Sequence, residues 1–310
     1  MEPENKNLIN TYSIVAYDPE SEQLGAAAQS KFFAVGANVL WVDPDAGAIA
    51  TQALTNAHHG RDGLEMLPGS TSTESVLESL LKGDEGRQKR QIGMVSSTGD
   101  NAGFTGEECP EHSGQVLGDY YSCQGNLLAS EKVVDSMATT YESDDSSFNR
   151  RLLNALKAAQ REGGDRRGQQ SAALVVVKKD CEDISGMECR TDLRVDDSFN
   201  PLSELERLLD LYTLYFEDPE EGKLVKLSQD LTIKLQKLLT KLGYYGGNTA
   251  GKLSGDFESA LRDFLWTENL RGRYTKAGSN AAIPKIDSRV ISYMESVVEG
   301  SNSKQGGRRT

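Results

Sequence analysis

The spacing of apolar and polar residues changes period several times along this chain. From Thr11 the run Thr-Tyr-Ser-Ile-Val-Ala-Tyr predicts a strand. Asp18-Pro-Glu-Ser-Glu follows as a turn, and Leu24-Gly-Ala-Ala-Ala-Gln-Ser as a partner strand whose small side chains suit close packing between layers. Val39-Leu-Trp-Val and Gly47-Ala-Ile-Ala-Thr-Gln predict a second hairpin across Asp43-Pro-Asp-Ala. A helix is expected over about 60–67. Another begins at Ser72 or Thr73, capped by Ser72, with Glu74 in its first turn and Val76, Leu77, Leu80 and Leu81 on one face. Strands over 91–95 and 102–105 flank the turn Ser97-Thr-Gly-Asp. Residues 127–160 read as two helices broken at 143–147. Ser171-Ala-Ala-Leu-Val-Val-Val carries the strongest strand signal, with Thr191-Asp-Leu-Arg-Val as its neighbour, and leucines recur at helical spacing from Pro201 to Phe216.

Strand pairs, then helices, then strands again do not follow strict β-α-β alternation. They predict an α+β fold of antiparallel sheets with helices on the outer faces. The domain reading is an extension at 1–10, a first unit at 11–218 and a linker at 219–222. A small helical unit at 223–300 follows, then a polar tail at 301–310 expected to be disordered.

The 310 residues carry a net charge of −13, distributed unevenly. From Lys223 onward 15 Lys and Arg face 8 Asp and Glu, against 19 and 39 before it, so the two units differ in character. The acidic first unit argues against nucleic acid as a partner. The basic second unit suits an anionic polymer or docking onto the acidic half. No apolar run approaches the roughly 18 residues of a membrane span. The N-terminus lacks the basic and apolar stretches of a secretory signal, so cytoplasmic residence is expected unless a leader has been removed. Four cysteines, none in a C-x-x-C pair, make no disulfide framework. Cys109-Pro-Glu-His112 supplies only two of the four usual zinc ligands, so neither metal nor cofactor is expected.

Six motifs occur in order. They are Thr11-Tyr-Ser-Ile-Val-Ala-Tyr-Asp, Gln29-Ser-Lys-Phe-Phe-Ala-Val-Gly, Gly47-Ala-Ile-Ala-Thr-Gln-Ala, Gln124-Gly-Asn126, Gly164-Asp-Arg-Arg-Gly-Gln-Gln-Ser-Ala-Ala and Asp192-Leu-Arg-Val-Asp-Asp197. Together they resemble the domain of unknown function 1028 family over residues 11 to about 218. That resemblance implies the four-layer αββα sandwich of N-terminal-nucleophile (Ntn) hydrolases and, with it, cleavage of a small amide or peptide-like C–N bond. In such enzymes a terminal Thr, Ser or Cys attacks an acyl carbon, and its own α-amine takes the proton. Thr11 is the candidate nucleophile and Ser13, on the same side of the strand, the runner-up. The ten preceding residues depart from the family's usual start and have to be removed by cleavage between Asn10 and Thr11. Thr11 can equally be a β-branched residue that starts a strand.

The remaining candidates each carry two readings. Lys31 resembles a basic residue beside the nucleophile in proteasome-like relatives, or is a lysine at a strand end. Thr51, Gln52 and Asn56 read as a substrate-facing cleft edge or as a buried hydrogen-bond network. Asn126 and its Gly-rich turn supply parts of an oxyanion hole, or an ordinary loop. Asp165 and Arg166, with Arg167, read as a carboxylate clamp or as an ion pair shaping the loop. His58 and His59, being adjacent, point apart and make a poor joint metal site. Residues 229–273 resemble a peptidoglycan-binding domain, with Tyr244, Tyr245 and Trp266 as sugar-stacking or core residues. The expected partners are therefore a small amide or peptide-like ligand, peptidoglycan or another anionic polymer, and a second copy in a homodimer. The rival reading is a non-catalytic ligand- or wall-binding protein that keeps the Ntn fold.

Overall fold

The structure, a computed structural model, describes residues 8–182, 188–219, 221–275 and 283–306. The chain divides into two compact units, at 1–209 and 210–310.

In the first unit the elements run β1 (Leu8–Ile9), β2 (Thr11–Asp18), β3 (Gln23–Ser30), α1 (Val35–Val39), β4 (Leu40–Asp43), β5 (Gly47–Leu54), α2 (Ala57–Met66) and α3 (Thr73–Leu81). They continue as β6 (Arg90–Ser96), β7 (Asn101–Thr105), β8 (Gly114–Gly118), β9 (Tyr121–Gly125), α4 (Lys132–Ser143), α5 (Phe148–Arg161), β10 (Ser171–Glu182), β11 (Glu188–Val195) and α6 (Pro201–Phe216). One sheet has the order β1-β5-β6-β7, with β4 also on β5, and the other β11-β10-β3-β2-β9-β8. Every described pairing within them is antiparallel.

Strand alternation explains how the layers assemble. Val15, Ala26 and Ala28 point from the second sheet into one buried cluster with Ala48, Ala50 and Val95 of the first, so the sheets pack face to face. The opposite side of the first sheet sends Ile49, Ile92 and Met94 against Val76 and Leu77 of α3. The outer face of the second sheet receives α4 and α5, and Gly25 lets α5 sit close. A Cβ on Gly25 would meet Leu152 at 2.6 Å and Phe148 at 2.8 Å. A mixed α+β fold with several antiparallel sheets is thus what the chain adopts.

Local signals set most boundaries. Asp43 Oδ1 accepts from the N–H groups of Asp45 (2.9 Å) and Ala46 (3.1 Å), closing the β4–β5 turn. Ser72 caps α3 by accepting from Ser75 N. Helix α2 begins three residues earlier than the expected 60, because Asn56 Oδ1 accepts from His58 N and caps it there. Strands β8 and β9 and the short α1 were not predicted.

The second unit contains β12 (Leu224–Lys226), α7 (Gln229–Lys241), α8 (Gly255–Thr267), β13 (Tyr274–Thr275), β14 (Lys285–Asp287) and α9 (Ser288–Gly306). Ser228 and Ser254 cap α7 and α8. Leu235, Leu239, Phe257, Leu261, Val290 and Met294 lie at the centre of its core. Three differences from the sequence reading stand out. The division between units falls within α6, because Leu214 joins the core of the second unit while Leu209 and its predecessors belong to the first. A three-stranded sheet, β12-β14-β13, accompanies the helices. Helix α9 continues to Gly306 where a disordered tail was expected, since extending a formed helix costs far less than nucleating one. Residues 307–310 lie outside the described residues. Among the described residues no helix is long and apolar enough to cross a membrane.

Candidate functional site

Thr11 opens β2 opposite Ser30 of β3, and its side chain and that of Ser13 lie on the sheet-to-sheet side with Val15. Thr11 is completely buried, and its hydroxyl donates to the Ile9 carbonyl at 3.3 Å. Asn10 is 3% exposed. Its carbonyl oxygen accepts from Ser30 Oγ at 2.6 Å and from the Arg167 guanidinium at 3.0 Å. The peptide bond that joins Asn10 to Thr11 is therefore held by a hydroxyl and a cation on its acyl oxygen.

Asp165 aims that cation. Its buried carboxylate accepts from Arg167 Nε (3.0 Å), Nη2 (2.7 Å) and backbone N–H (2.9 Å), and from Lys31 N–H (3.0 Å). The Lys31 ammonium goes to the Gln169 carbonyl at 3.1 Å, so the cation on the Asn10 carbonyl is Arg167 rather than Lys31. Arg166, the neighbour singled out from sequence, is half exposed and pairs with Glu111 at 3.3 Å. The Tyr12 phenol, on the helix-facing side, donates to Gln160 at 3.1 Å. Burial, then the Asp165 charge, pushes it well above its ordinary pKa, so it stays protonated and is no base.

Behind Thr11 an uncharged polar network fills the space between the sheets. Ser13 Oγ donates to Gln52 Oε1 at 2.7 Å and accepts from Gln124 Nε2 at 2.7 Å. Gln52 Nε2 donates to the Thr11 carbonyl (3.1 Å) and to Gln91 Oε1 (2.8 Å). Asn126 donates through its backbone N–H to the Thr11 carbonyl (3.1 Å) and through Nδ2 to Gln91 Oε1 (2.9 Å). Gln91 Nε2 in turn serves Thr105 Oγ1 (2.9 Å) and the carbonyls of Gly114 (3.1 Å) and Gly125 (2.9 Å). Gly93 makes room for Gln124, since a Cβ there would lie 2.0 Å from Gln124 Oε1. Asn126 thus holds the carbonyl of Thr11, whereas the oxygen of Asn10 has the donors Ser30 and Arg167.

Three non-glycine residues around this point have left-handed backbones: Ala34 (φ 53°), Ala53 (φ 62°) and Leu127 (φ 54°). Ala53 pairs with Ile9, Leu127 follows Asn126, and Ala34 lies just beyond β3. Each costs about 1–2 kcal/mol, a kind of strain that concentrates at functional sites.

Thr51 and Asn56 lie apart from this cluster. Thr51 points to the helix-covered side of β5 and contacts the Asn56 carbonyl at 3.5 Å. Asn56 lines a cleft of about 750 Å³ together with His58, His59, Asp84 and Arg90. His58 is exposed, with Arg61 at 2.6 Å, while buried His59 places Nε2 3.3 Å from Asp84. Arg90 grips Asp84 through Nε (2.9 Å) and Nη2 (3.2 Å) and reaches the Leu54 carbonyl through Nη1. Cys109 donates to the Arg90 carbonyl at 3.2 Å, and burial pushes its thiol up to about 11. Among the described residues no cluster of metal-ligating side chains occurs.

Of the three aromatics noted in the second unit, Tyr245 is buried with its hydroxyl on the Asn248 carbonyl, and Tyr244 packs edge-on against Phe264. Trp266 is 60% exposed beneath the Arg271 guanidinium. It is the most exposed of the three, with Arg271 covering one face of its ring.

The sequence reading missed Gln91, Gln124 and Ser30. Ser30 and Gln124 stand within the family motifs but were given no role of their own, and Gln91 is a single polar residue at the start of an apolar run, which ordinarily marks a strand end. Comparison with known proteins agrees with the division in two. Residues 11–205 match a family described as "Family of unknown function (DUF1028)", and residues 215–294 one described as "Putative peptidoglycan binding domain". A crystal structure of a DUF1028 protein from Silicibacter pomeroyi is similar, with 32% identity and a TM-score of 0.61 over 67% of this chain and 91% of that one. No curated protein matches the sequence.

Proposed function

Since the chain belongs to the DUF1028 family of unknown function, we propose on the geometry around Asn10 that it is an Ntn-type amide hydrolase, with Thr11 as nucleophile once residues 1–10 are released. The observation that supports this reading is the polarised Asn10 carbonyl, gripped by Ser30 and Arg167 in the bond immediately before Thr11. A rotation about χ1 takes the Thr11 hydroxyl from the Ile9 carbonyl to the Asn10 carbonyl carbon. Its oxygen forms a C–O bond, the C–N bond breaks, and the proton passes to the departing nitrogen, which becomes the α-amine of Thr11. Water then hydrolyses the ester, leaving an Asn10 carboxylate and a free Thr11. An α-amine has a reference pKa near 7.7–8.0 and accepts a proton at neutral pH, which the former amide nitrogen cannot. In later turnovers the same hydroxyl attacks the amide substrate, with Ser30 and Arg167 on its acyl oxygen.

The test is the intact mass and N-terminal residue of purified full-length protein over time. Loss of residues 1–10 in the wild type but not in Thr11→Ala, slowed in Arg167→Ala, supports the reading, and amide turnover must appear only with the shortened chain. Equal turnover by intact and shortened chains sinks it. A binding role is the second reading. It is favoured by Ile9, which sits in the inter-sheet core and anchors the N-terminal segment. A chain that is never cleaved and turns over no amide supports that role. In either case the second unit supplies attachment to peptidoglycan, with Trp266 and Arg271 as the contact surface.

A further inference from the structure

The segment before Thr11 is built into the fold. Leu8 and Ile9 pair antiparallel with Leu54 and Ala53 of β5, beyond the stretch of that strand that β4 covers. Ile9, 3% exposed, places its side chain in the inter-sheet cluster with Val15 and Ala50. Asn10 is equally buried, and its Oδ1 has no hydrogen-bond partner among the described residues. The register is bought with strain, because Ala53, opposite Ile9, adopts φ 62°.

Self-cleavage and substrate cleavage share one hydroxyl and one pair of acyl-oxygen donors. Whatever holds residues 8–10 is therefore shaped for the acyl side of a substrate. Resting on the hydrolase reading above, we propose that the site takes an extended peptide as acyl donor, which adds as a strand to β5 with a branched aliphatic side chain where Ile9 lies and an uncharged carboxamide where Asn10 lies. Residues 8–10 occupy that place in the intact chain and so keep the site closed.

Each feature of this ligand follows from a contact. Main-chain pairing to Ala53 and Leu54 selects an extended backbone, as in peptide recognition by strand addition. The apolar cluster around Ile9 selects a branched aliphatic residue and rejects a charge. At the Asn10 position the side-chain oxygen is buried with no hydrogen-bond partner among the described residues, so a carboxylate there would be a buried charge without a partner and a neutral carboxamide is favoured. The cleft lined by Arg90, which holds the Leu54 carbonyl opposite Leu8, leaves room for residues further from the cleaved bond.

The test uses the full chain and a fluorescein-labelled peptide with the sequence of residues 5–10, Asn-Lys-Asn-Leu-Ile-Asn. In Ile9→Asp the charge expels the chain's own strand, and the peptide must bind at least tenfold more tightly than to the intact wild type. Replacing Ile by Asp in the peptide must abolish that binding. Ile9→Ala, a milder change in a two-residue strand, makes the same comparison if Ile9→Asp does not fold. A variant that melts cooperatively yet binds no peptide overturns the proposal, as does equal binding by wild type and variant. Peptide binding without turnover after release of residues 1–10 refutes the hydrolase reading alone. Turnover of amides without peptide binding refutes the strand-addition proposal alone.

Discussion

Gln91 is the hub of the polar layer behind Thr11, so replacing it with leucine tests whether that layer holds the site. The side chain is fully buried, accepts from Gln52 and Asn126, and donates to Thr105, Gly114 and Gly125. Leucine nearly conserves volume but serves none of them. Gln52 Nε2 keeps the Thr11 carbonyl at 3.1 Å, and Thr105 keeps Gln115 at 3.0 Å. Asn126 Nδ2 is left with the Thr11 carbonyl at 3.5 Å, and the carbonyls of Gly114 and Gly125 lose a donor. A buried polar group without its partner costs about 1–3 kcal/mol, and the added apolar contact recovers part of that. The net loss should be about 3 kcal/mol, or roughly 6–12 °C in Tm for a unit of this size. Trp41 packs in the first unit and Trp266 lies in the second, so fluorescence of Gln91→Leu in a Trp266→Phe background follows the first unit alone. Gln115→Leu is the control, since that side chain is half-buried and bonds the Gly103 carbonyl at the margin of the layer. It should cost about 1 kcal/mol. If Gln91→Leu loses no more than Gln115→Leu, the layer is not what fixes the carbonyl of Thr11.

Burial, opposed by Asp84, holds His59 below the usual histidine pKa, so below about pH 6.5 the unfolded chain binds a proton that the folded one resists. The Tm of the first unit should therefore fall between pH 7.5 and 5.5 in wild type and fall less in His59→Gln, and parallel profiles would refute this. Gly93→Ala should destabilise the first unit by about 1–3 kcal/mol in urea, and removing the obstacle in Gly93→Ala/Gln124→Ala should return part of it. If the double substitution is no better than the sum of the singles, the contact is misassigned. In the second unit Asp287 is buried beneath Arg273 (3.2 Å) and Arg289 (2.8 Å), so Asp287→Asn should cost about 3–5 kcal/mol by Trp266 fluorescence. Trp266→Ala should weaken sedimentation with peptidoglycan without lowering Tm, because the ring is mostly exposed, and unchanged binding would remove it from the contact surface.

The layers of the first unit were legible because their apolar periods are strong: Val15, Ala26 and Ala28 mark one face, and Val76 and Leu77 another. What escaped the sequence was strand β9, and the reason is physical. Alternation distinguishes two faces of a strand without saying which is wet, and in β9 both are dry. Ser122 and Gln124 look solvent-facing yet meet Ser13 and each other inside the sandwich. The same rule was available for Thr51 and Gln52, since neighbours on a strand point to opposite sides. One joins Asn56 and the other joins Ser13, so they cannot edge a single cleft. The choice of Arg167 over Arg166 was beyond reach, because adjacent arginines in a Gly-flanked loop differ only in how the loop turns. Asp165 accepts from the backbone N–H of Arg167 and thereby directs that guanidinium, rather than its neighbour's, to the Asn10 carbonyl. The order of dependence matters for function. Motif residues identify the strands that meet at Thr11, but which guanidinium reaches the Asn10 carbonyl is set by the turn at 164–168, so Asp165→Asn, a change within that one motif, should alter the hold on the Asn10 carbonyl while leaving the strand motifs as they are.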